Sequence, residues 1–193
     1  KLYKDVRHNF PEASRKEEST LVCQKLIDTE FYQKADVLFC YLSYGSELDT
    51  SLLIHTAFED GKAVAVPRIS GKDMNFYRIY PDSVFLKNQY GISEPVSAEE
   101  VVPDCDLCSL MILPGLCYDF MNGRIGYGGG YYDRYLKKIF DTYGYQPYLM
   151  ALAFACQICS KRIPTEEHDK KMDCILTERR VIMPKEENQG KLG

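Results

Sequence analysis

The sequence predicts an α/β fold in which helices cover a mostly parallel sheet. Segments with helical spacing of apolar residues alternate with short apolar runs along the chain, as in proteins built from β-α-β units. The apolar runs lack polar alternation, which is typical of strands buried on both faces. With 193 residues and neither an internal repeat nor a linker, the chain is expected to form a single domain over residues 1–193.

The predicted elements follow from apolar periodicity and from start and stop signals. Asp49, Thr50 and Ser51 can cap the second helix, and Gly61 can end it. The polar tail at 184–193 is expected to be frayed. The full set is helix 12–28, strand 37–41, helix 51–59, strands 63–67, 74–80 and 110–113, helix 131–140, and strands 148–155 and 175–177.

The bulk composition limits the partners. A formal net charge of −4 argues against a nucleic-acid or anionic-membrane partner, because such contacts need a basic face. Residues 1–10 have no apolar core like that of a signal peptide, and the longest apolar run, 148–156, is too short to span a bilayer. We expect a soluble, cytoplasmic monomer that acts on a small-molecule substrate.

The eight cysteines suggest either disulfides or a zinc site, and neither is expected. The pairs Cys105/Cys108 and Cys156/Cys159 lie about fifty residues apart, far from a zinc-ribbon spacing. Other cysteines lie in or beside apolar runs, where a thiol packs as a small apolar group. Reduced structural thiols are therefore expected, and a zinc-stabilised interaction domain is the alternative.

The segment from Gly123 to Arg134 carries the main functional signal. It follows the turn Pro114–Gly115 and holds five glycines in its first eight positions before a helix begins. Such a loop can place peptide N–H groups against phosphate oxygens at a helix N-terminus, and the alternative is a plain glycine-rich turn. Arg124 supplies a cation, and Asp133 a carboxylate that could hold Mg²⁺. The pattern matches neither the P-loop nor the dinucleotide-binding fingerprint.

The same segment, preceded by Pro114 to Asp119, resembles the signature of the 5-formyltetrahydrofolate cyclo-ligase family. Further matching residues occur in order at 41–43, 47–50, 66–68, 90–95, 168–169 and 173, so the resemblance covers nearly the whole chain. It implies a single three-layer, Rossmann-like α/β/α domain. It also implies ATP-dependent conversion of 5-formyltetrahydrofolate to 5,10-methenyltetrahydrofolate with release of ADP and phosphate, through a phosphorylated formyl oxygen. The alternative is a nucleotide- and folate-binding protein without turnover.

The resemblance implies ATP and Mg²⁺ as cofactors. Asp133 is the expected metal ligand, and Arg124 and Tyr132 are the expected catalytic residues. Asp169 is expected near the nucleotide, with Asp173 as the alternative, whereas a catalytic role for His168 is not expected. The nucleotide-binding residues are Arg124, Ile125, Gly126, Tyr127, Gly128, Gly129, Gly130, Tyr131, Tyr132 and Asp169.

Three residues are expected to bind the folate. The Glu47 carboxylate could accept hydrogen bonds from the donor edge of a pterin, or it could be a solvated loop acid; the resemblance favours the first interpretation and adds Leu42. Tyr90, beside Gly91, could stack on an aromatic ring of the substrate or pack at the edge of the core. Arg68 could bind a phosphate or carboxylate, or form a surface ion pair, and the sequence does not decide between these.

The chain departs from the family pattern at two places. The basic opening helix is expected to be cut short before residue 1, which leaves Lys1, Lys4 and Arg7 as candidates for reaching ATP. Some members also carry basic residues in the glycine loop, where this chain has Tyr127 and Gly129.

Overall fold

The computed structural model describes residues 2–164 and 169–184. In that part of the chain the helices are α1 (Leu2–His8), α2 (Glu12–Ile27), α3 (Glu30–Lys34), α4 (Ser51–Glu59) and α5 (Tyr131–Tyr143), with a 3₁₀ turn at Ala155–Gln157. The strands are β1 (Val37–Phe39), β2 (Ala63–Ser70), β3 (Asp73–Ile79), β4 (Phe85–Lys87), β5 (Ser93–Pro95), β6 (Glu100–Val101), β7 (Ser109–Ile112), β8 (Cys117–Asp119), β9 (Arg124–Ile125), β10 (Tyr148–Leu152), β11 (Ile158–Cys159), β12 (Cys174–Leu176) and β13 (Val181–Ile182).

The central sheet has the strand order β13-β12-β10-β7-β1-β2-β3-β6. Its five middle strands, from β12 to β2, run parallel. The outer strands β13, β3 and β6 pair antiparallel at the two edges. The predicted fold class, with a mostly parallel central sheet, is confirmed.

Helices cover both faces of this sheet, because successive side chains of each strand point to opposite sides. Leu38 of β1 belongs to a core shared with α2, α3 and α4. Its neighbour Phe39 belongs to a second core, which contains Tyr135, Leu136 and Ile139 of α5. The strands are buried on both faces, which explains why they read as continuous apolar runs in the sequence. The three-layer arrangement is therefore confirmed.

The second and third strands form a hairpin that is longer than predicted. β2 continues to Ser70 and pairs antiparallel with β3, with Ser70 opposite Asp73. The turn contains Gly71, whose φ of 62° lies in the left-handed region that glycine adopts without strain. The alternating burial predicted for this third strand is present from Asp73 to Phe76, after which Tyr77 and Arg78 are both half-buried.

A small sheet has the strand order β11-β8-β9; along the chain β8 and β9 lie between β7 and α5, whereas β11 follows β10. β8 pairs antiparallel with β9 and parallel with β11. It was not predicted, because strands of two or three residues are too short to show a period. The consequence for the site is that Arg124 is held in a strand rather than in a free loop.

The remaining differences from the prediction concern the residues at which strands and helices end. β1 stops at Phe39 and β10 at Leu152, earlier than predicted, whereas α5 continues to Tyr143 before Gly144 ends it with a φ of 65°. All eight cysteines have free thiols, four of them buried. Lys1, His168 and residues 185–193 lie outside the described residues, so the expectations for Lys1, for His168 and for most of the tail stay predictions.

Candidate active site

A pocket of about 1660 Å³ opens beyond the carboxyl ends of the parallel strands. Leu42 and Glu47 come from the loop after β1, Ile69 from the end of β2 and Pro114 from the segment after β7. Loops gather at this edge of an open parallel sheet, and it is where such folds bind ligands.

The pocket brings together the fourteen residues expected to act in catalysis or to bind ATP, Mg²⁺ or folate, although they are spread over most of the chain, whereas the alternatives Arg68 and Asp173 do not line it. Their separate roles stay predictions. The residues that line it are Leu42, Glu47, Tyr90, Arg124, Ile125, Gly126, Tyr127, Gly128, Gly129, Gly130, Tyr131, Tyr132, Asp133 and Asp169.

The glycine loop is held in a conformation that depends on two of its glycines. Gly128 and Gly130 have φ values of 86° and 64°, and Gly130 is the residue that precedes the first turn of α5. Gly129 is different, because its φ is not in the left-handed region; there, an added Cβ would lie 2.7 Å from Cε2 of Tyr131. The loop therefore leads into α5, at the end of that helix whose peptide N–H groups favour an anion.

Arg124 lies beneath the loop with a side chain that is 6 % exposed. Its Nη1 donates to the Pro114 carbonyl at 3.1 Å, and its Nη2 lies 3.0 Å from each oxygen of Asp133. Its Nε is buried and has no hydrogen-bond partner among the described residues. A buried donor without an acceptor is unfavourable, so this atom indicates that a water or ligand oxygen belongs beside it.

The predicted cation and the predicted metal ligand are therefore joined to each other. With both oxygens facing Arg124, Asp133 can offer an oxygen to Mg²⁺ only by sharing it or by turning away from the guanidinium. A carboxylate retains further lone pairs, and Mg²⁺ commonly binds one or two carboxylates together with phosphate oxygens and water. The residues present are thus compatible with an ion bound between Asp133 and a phosphate.

Arg134, the second cation of the segment, holds the loop in place from outside. Its guanidinium donates to the carbonyls of Gly129 and Lys72, both at 2.8 Å, and lies 5.0 Å from the centre of the Tyr131 ring. The glycine loop is thereby tied to the hairpin between β2 and β3.

A second polar network in the pocket connects Arg7, Tyr127 and Glu47. The Tyr127 hydroxyl donates to Oε1 of Glu47, and it accepts from Nη1 of Arg7 at 2.6 Å. Oε2 of Glu47 accepts the peptide N–H of Tyr44 at 2.9 Å. The pKa of Tyr127 is raised above its usual value, chiefly because the pocket desolvates the phenol and secondly because the charge of Glu47 lies beside it.

Tyr132 lies deeper, at the junction of the loop with the core. Its ring contacts Phe76 edge-on with centroids 6.3 Å apart, and the Arg124 guanidinium lies 5.9 Å from its centre. Burial, reinforced by the negative charge of Glu47, raises the pKa of Tyr132 well above the usual value. Its phenol therefore stays protonated at neutral pH.

The folate-binding candidates Leu42 and Tyr90 differ in exposure. Leu42 is partly buried and packs against the core beneath the pocket. Tyr90 is 58 % exposed at the rim, so the core-edge interpretation of this residue is wrong, and its ring face is open to a ligand. Its neighbour Gly91 has a φ of 79° and lies against the Tyr44 hydroxyl, which places the two loops side by side.

Two alternatives from the sequence have structural roles. Arg68 lies 3.6 Å above the Tyr77 ring and donates to the carbonyls of Pro95 and Ser97, so it ties β2 to the end of β5 and to the segment that follows. Asp173 accepts the peptide N–H of Leu149 at 2.8 Å and thereby fastens the start of β12 to β10.

Sequence reasoning named Arg7 as a candidate for reaching ATP but missed its contact with Tyr127, and it missed Tyr44 altogether. Arg7 is only 4 % exposed although it lies near the chain terminus, and Lys4 lies on the pocket wall one helical turn away. The spacing of Lys4 and Arg7 was a usable signal, since residues three apart on a helix share a face. Nothing in the sequence around Tyr44 indicated that its peptide N–H would orient Glu47.

Comparisons with known proteins agree on one family. The model of the 5-formyltetrahydrofolate cyclo-ligase family matches residues 2–178. The 5-formyltetrahydrofolate cyclo-ligase of Mus musculus is 36 % identical over 172 residues, which are 85 % of this chain and 84 % of the mouse protein. The enzyme of that name from Escherichia coli K12 is 32 % identical over 151 residues, which are 76 % of this chain and 80 % of the Escherichia coli protein.

A solved structure leads to the same group. The NMR structure of Aquifex aeolicus 5,10-methenyltetrahydrofolate synthetase superimposes with a TM-score of 0.80 at 27 % identity, over 95 % of this chain and 91 % of that one. Within the described residues, none of the helices has the length and apolar character needed to cross a membrane.

Proposed function

This chain belongs to the 5-formyltetrahydrofolate cyclo-ligase family, and from that membership we propose how its pocket performs the reaction. The protein is a ligase that converts 5-formyltetrahydrofolate to 5,10-methenyltetrahydrofolate at the expense of ATP. The observation that supports a single pocket for both substrates is the convergence of the glycine loop and Glu47 on one cavity.

The chemistry explains why ATP is needed. The formyl group on N5 is an amide, and its oxygen is a poor leaving group. Attack of that oxygen on the γ-phosphorus forms a C–O–P bond and breaks the bond to ADP. N10 then attacks the activated carbon and loses its proton, and phosphate departs with the electrons of the C–O bond, which leaves the methenyl bridge between N5 and N10.

The glycine loop and Arg124 would bind the phosphates. No side chain has to act as a covalent nucleophile, so the protein contributes mainly positioning and charge stabilisation. The orphaned Nε of Arg124 supports this role, since a phosphoryl oxygen would satisfy it. The neutral phenol of Tyr132 beside that guanidinium can donate to the transferring group.

Asp133 would bind Mg²⁺, which would offset negative charge on the phosphates. Glu47 would accept the pterin donors, Leu42 would contact the ring and Tyr90 would stack on an aromatic ring at the pocket rim. Asp169, which also lines the pocket, would lie near the nucleotide.

The proposal further includes a cytoplasmic monomer without a nucleic-acid partner. The acidic net charge of −4 supports the lack of a nucleic-acid partner. One chain supplies the residues that line the pocket, which supports a monomer, and size-exclusion chromatography with light scattering tests the oligomeric state.

Isotope transfer tests the mechanism. With ¹⁸O in the formyl group, the released phosphate should carry the label, one atom for each methenyl product. Label that appears in water instead would show that the formyl oxygen is never phosphorylated. Binding of both substrates without any product would identify a binding protein.

A further inference from the structure

The buried end of α1 brings a cation to the folate side of the pocket. Arg7 is 4 % exposed, and its Nε donates to the Ser46 hydroxyl at 3.2 Å. Its Nη1 donates to the Gly115 carbonyl at 3.3 Å and to the Tyr127 hydroxyl at 2.6 Å. The guanidinium is therefore fixed by three different segments.

The Tyr127 hydroxyl separates this cation from the Glu47 carboxylate. It accepts from Arg7 and donates to Glu47, whose other oxygen is held by the peptide N–H of Tyr44. The ion pairs among the described residues do not include a direct one between Arg7 and Glu47. Two opposite charges in a partly desolvated pocket attract each other strongly. A group that lies between them therefore affects how closely they approach.

The network also joins a residue expected to bind the nucleotide to a residue expected to bind folate. Tyr127 is part of the glycine loop, whereas Glu47 belongs to the loop after β1. Because the phenol stays protonated at neutral pH, it remains a donor to Glu47 under working conditions.

We propose that Tyr127 is a positioning residue for folate: its hydroxyl keeps Glu47 apart from Arg7 and turned toward the pterin. The inference rests on the proposed function of this pocket and deepens it. When the hydroxyl is absent, the carboxylate moves toward the guanidinium and away from the substrate's N–H groups. Folate recognition thus depends on a residue of the phosphate loop through its hydroxyl, independently of that loop's backbone contacts with ATP.

Tyr127→Phe tests this inference, because it removes the hydroxyl and keeps the ring. We expect the dissociation constant and the KM for 5-formyltetrahydrofolate to rise about tenfold, the loss typical of one hydrogen bond to a charged group. The KM for ATP and the kcat should change by less than about threefold, the pattern expected when binding common to ground state and transition state is lost. Unchanged folate binding in a folded Tyr127→Phe protein overturns the inference.

Tyr80→Phe is the matched control. Tyr80 also donates its hydroxyl to a carboxylate, that of Glu99 at 2.9 Å, but the pair is exposed and does not line the pocket. Folate affinity should stay at the wild-type value in this variant. A loss equal to that of Tyr127→Phe would show that the effect is not specific to the pocket.

A double-mutant cycle with Glu47→Gln separates positioning from a direct contact. If Tyr127 acts through Glu47, adding Tyr127→Phe to Glu47→Gln should weaken folate binding by no more than about twofold further. A further tenfold loss would mean that Tyr127 touches the substrate itself and would overturn the inference. Direct titration of folate gives these values without turnover, so an inactive wild-type protein would refute the proposed reaction separately.

Tyr127→Leu provides a second hydroxyl-free variant with the same expected loss.

Discussion

At the scale of single residues, the ion pair between Arg124 and Asp133 is the contact on which the ATP side of the pocket depends. Its side chains are 6 % and 22 % exposed, so the charges are held largely away from water. Removing one partner of such a pair leaves the other charge without its counter-ion, which is unfavourable even though the intact pair adds little stability. The same carboxylate is the proposed ligand of Mg²⁺.

Asp133→Asn keeps the volume and removes the charge. We expect turnover to fall at least about tenfold and to recover partly at high Mg²⁺ concentration, because a neutral amide binds the ion more weakly. The melting temperature should also fall, as Arg124 loses its counter-ion. Rates measured over a Mg²⁺ series check this, with Glu30→Gln as the control, since that residue forms an exposed ion pair with Lys34. An unchanged rate and Mg²⁺ dependence would transfer the metal role to another acid, with Asp169 as the first candidate.

Glu47→Gln separates folate recognition from ATP binding. The amide keeps one acceptor but presents N–H donors to the donor edge of the pterin, so folate affinity should fall by about one to two orders of magnitude. ATP affinity measured without folate should stay nearly constant. Isothermal titration with each ligand gives both values. Weakened ATP binding with intact folate binding would mean that the two ends of the pocket are assigned in reverse.

At the scale of elements, the glycine loop and α5 show what a sequence pattern can and cannot specify. The density of glycines predicted a loop that could place peptide N–H groups against phosphate, and in the structure Gly128 and Gly130 have positive φ. It did not distinguish Gly129, where the reason for a small residue is the Tyr131 ring rather than a positive φ. Local composition indicates that a special conformation is needed, whereas the rest of the fold decides which residue carries it.

Gly128→Ala tests the loop against a matched position. Gly128 and Gly144 both have positive φ, at 86° and 65°, and an added Cβ meets no atom within 4 Å at either. Each substitution should therefore destabilise the protein by about 1 kcal/mol through backbone strain alone. Only Gly128→Ala should raise the KM for ATP, because only that residue lines the pocket. Equal ATP binding by the two variants would contradict the phosphate-loop interpretation.

Two kinds of element could be predicted. Helices were long enough to show the helical spacing of apolar residues, and strands buried on both faces lacked polar alternation. Helix α2 and the middle strands of the sheet were found in this way. The small sheet of β8, β9 and β11 was not, because its strands have only two or three residues each and β11 lies about forty residues after β8. Its absence from the prediction hid the fact that Arg124 is anchored by a strand.

At the scale of the whole molecule, the core shared with α2, α3 and α4 also contains thiols that fold in their neutral form. Burial raises the pKa of Cys23 to about 12 and that of Cys174 to about 11. An unfolded thiol loses its proton near pH 8.5, so above that pH the unfolded chain binds fewer protons than the folded one. The stability contributed by these thiols is complete below about pH 8.5 and is lost as the pH rises through their folded pKa values.

The free energy of unfolding should therefore fall between pH 8.5 and pH 11. In Cys174→Ala this decline should be shallower, by up to about 1.4 kcal/mol per pH unit, the contribution of one proton. Urea unfolding in the presence of a reductant, at a series of pH values, gives the slopes. The exposed Cys105→Ala serves as the control and should retain the wild-type slope. Identical slopes in all three proteins would refute the assignment to the buried thiol.

The pocket itself assembles residues that are far apart in the chain, and this explains which of them could be predicted. The motif residues were found through their resemblance to a family, and their side chains converge because the parallel strands end at one edge. The hydrogen bonds that connect Arg7, Tyr127 and Glu47 could not be predicted, since they join helix α1 to two loops whose spacing only the folded chain defines. The same holds for the pairing of Arg124 with Asp133.

The most direct test of the account is to record methenyl-folate absorbance and ADP release in one sample of the wild-type protein. With 5-formyltetrahydrofolate and Mg-ATP, the two products should form at equal rates in a ratio of one to one, and omitting either substrate should abolish both. Methenyl formation without ATP, or steady ADP release without methenyl product, would contradict a pocket in which phosphoryl transfer to the formyl oxygen drives ring closure.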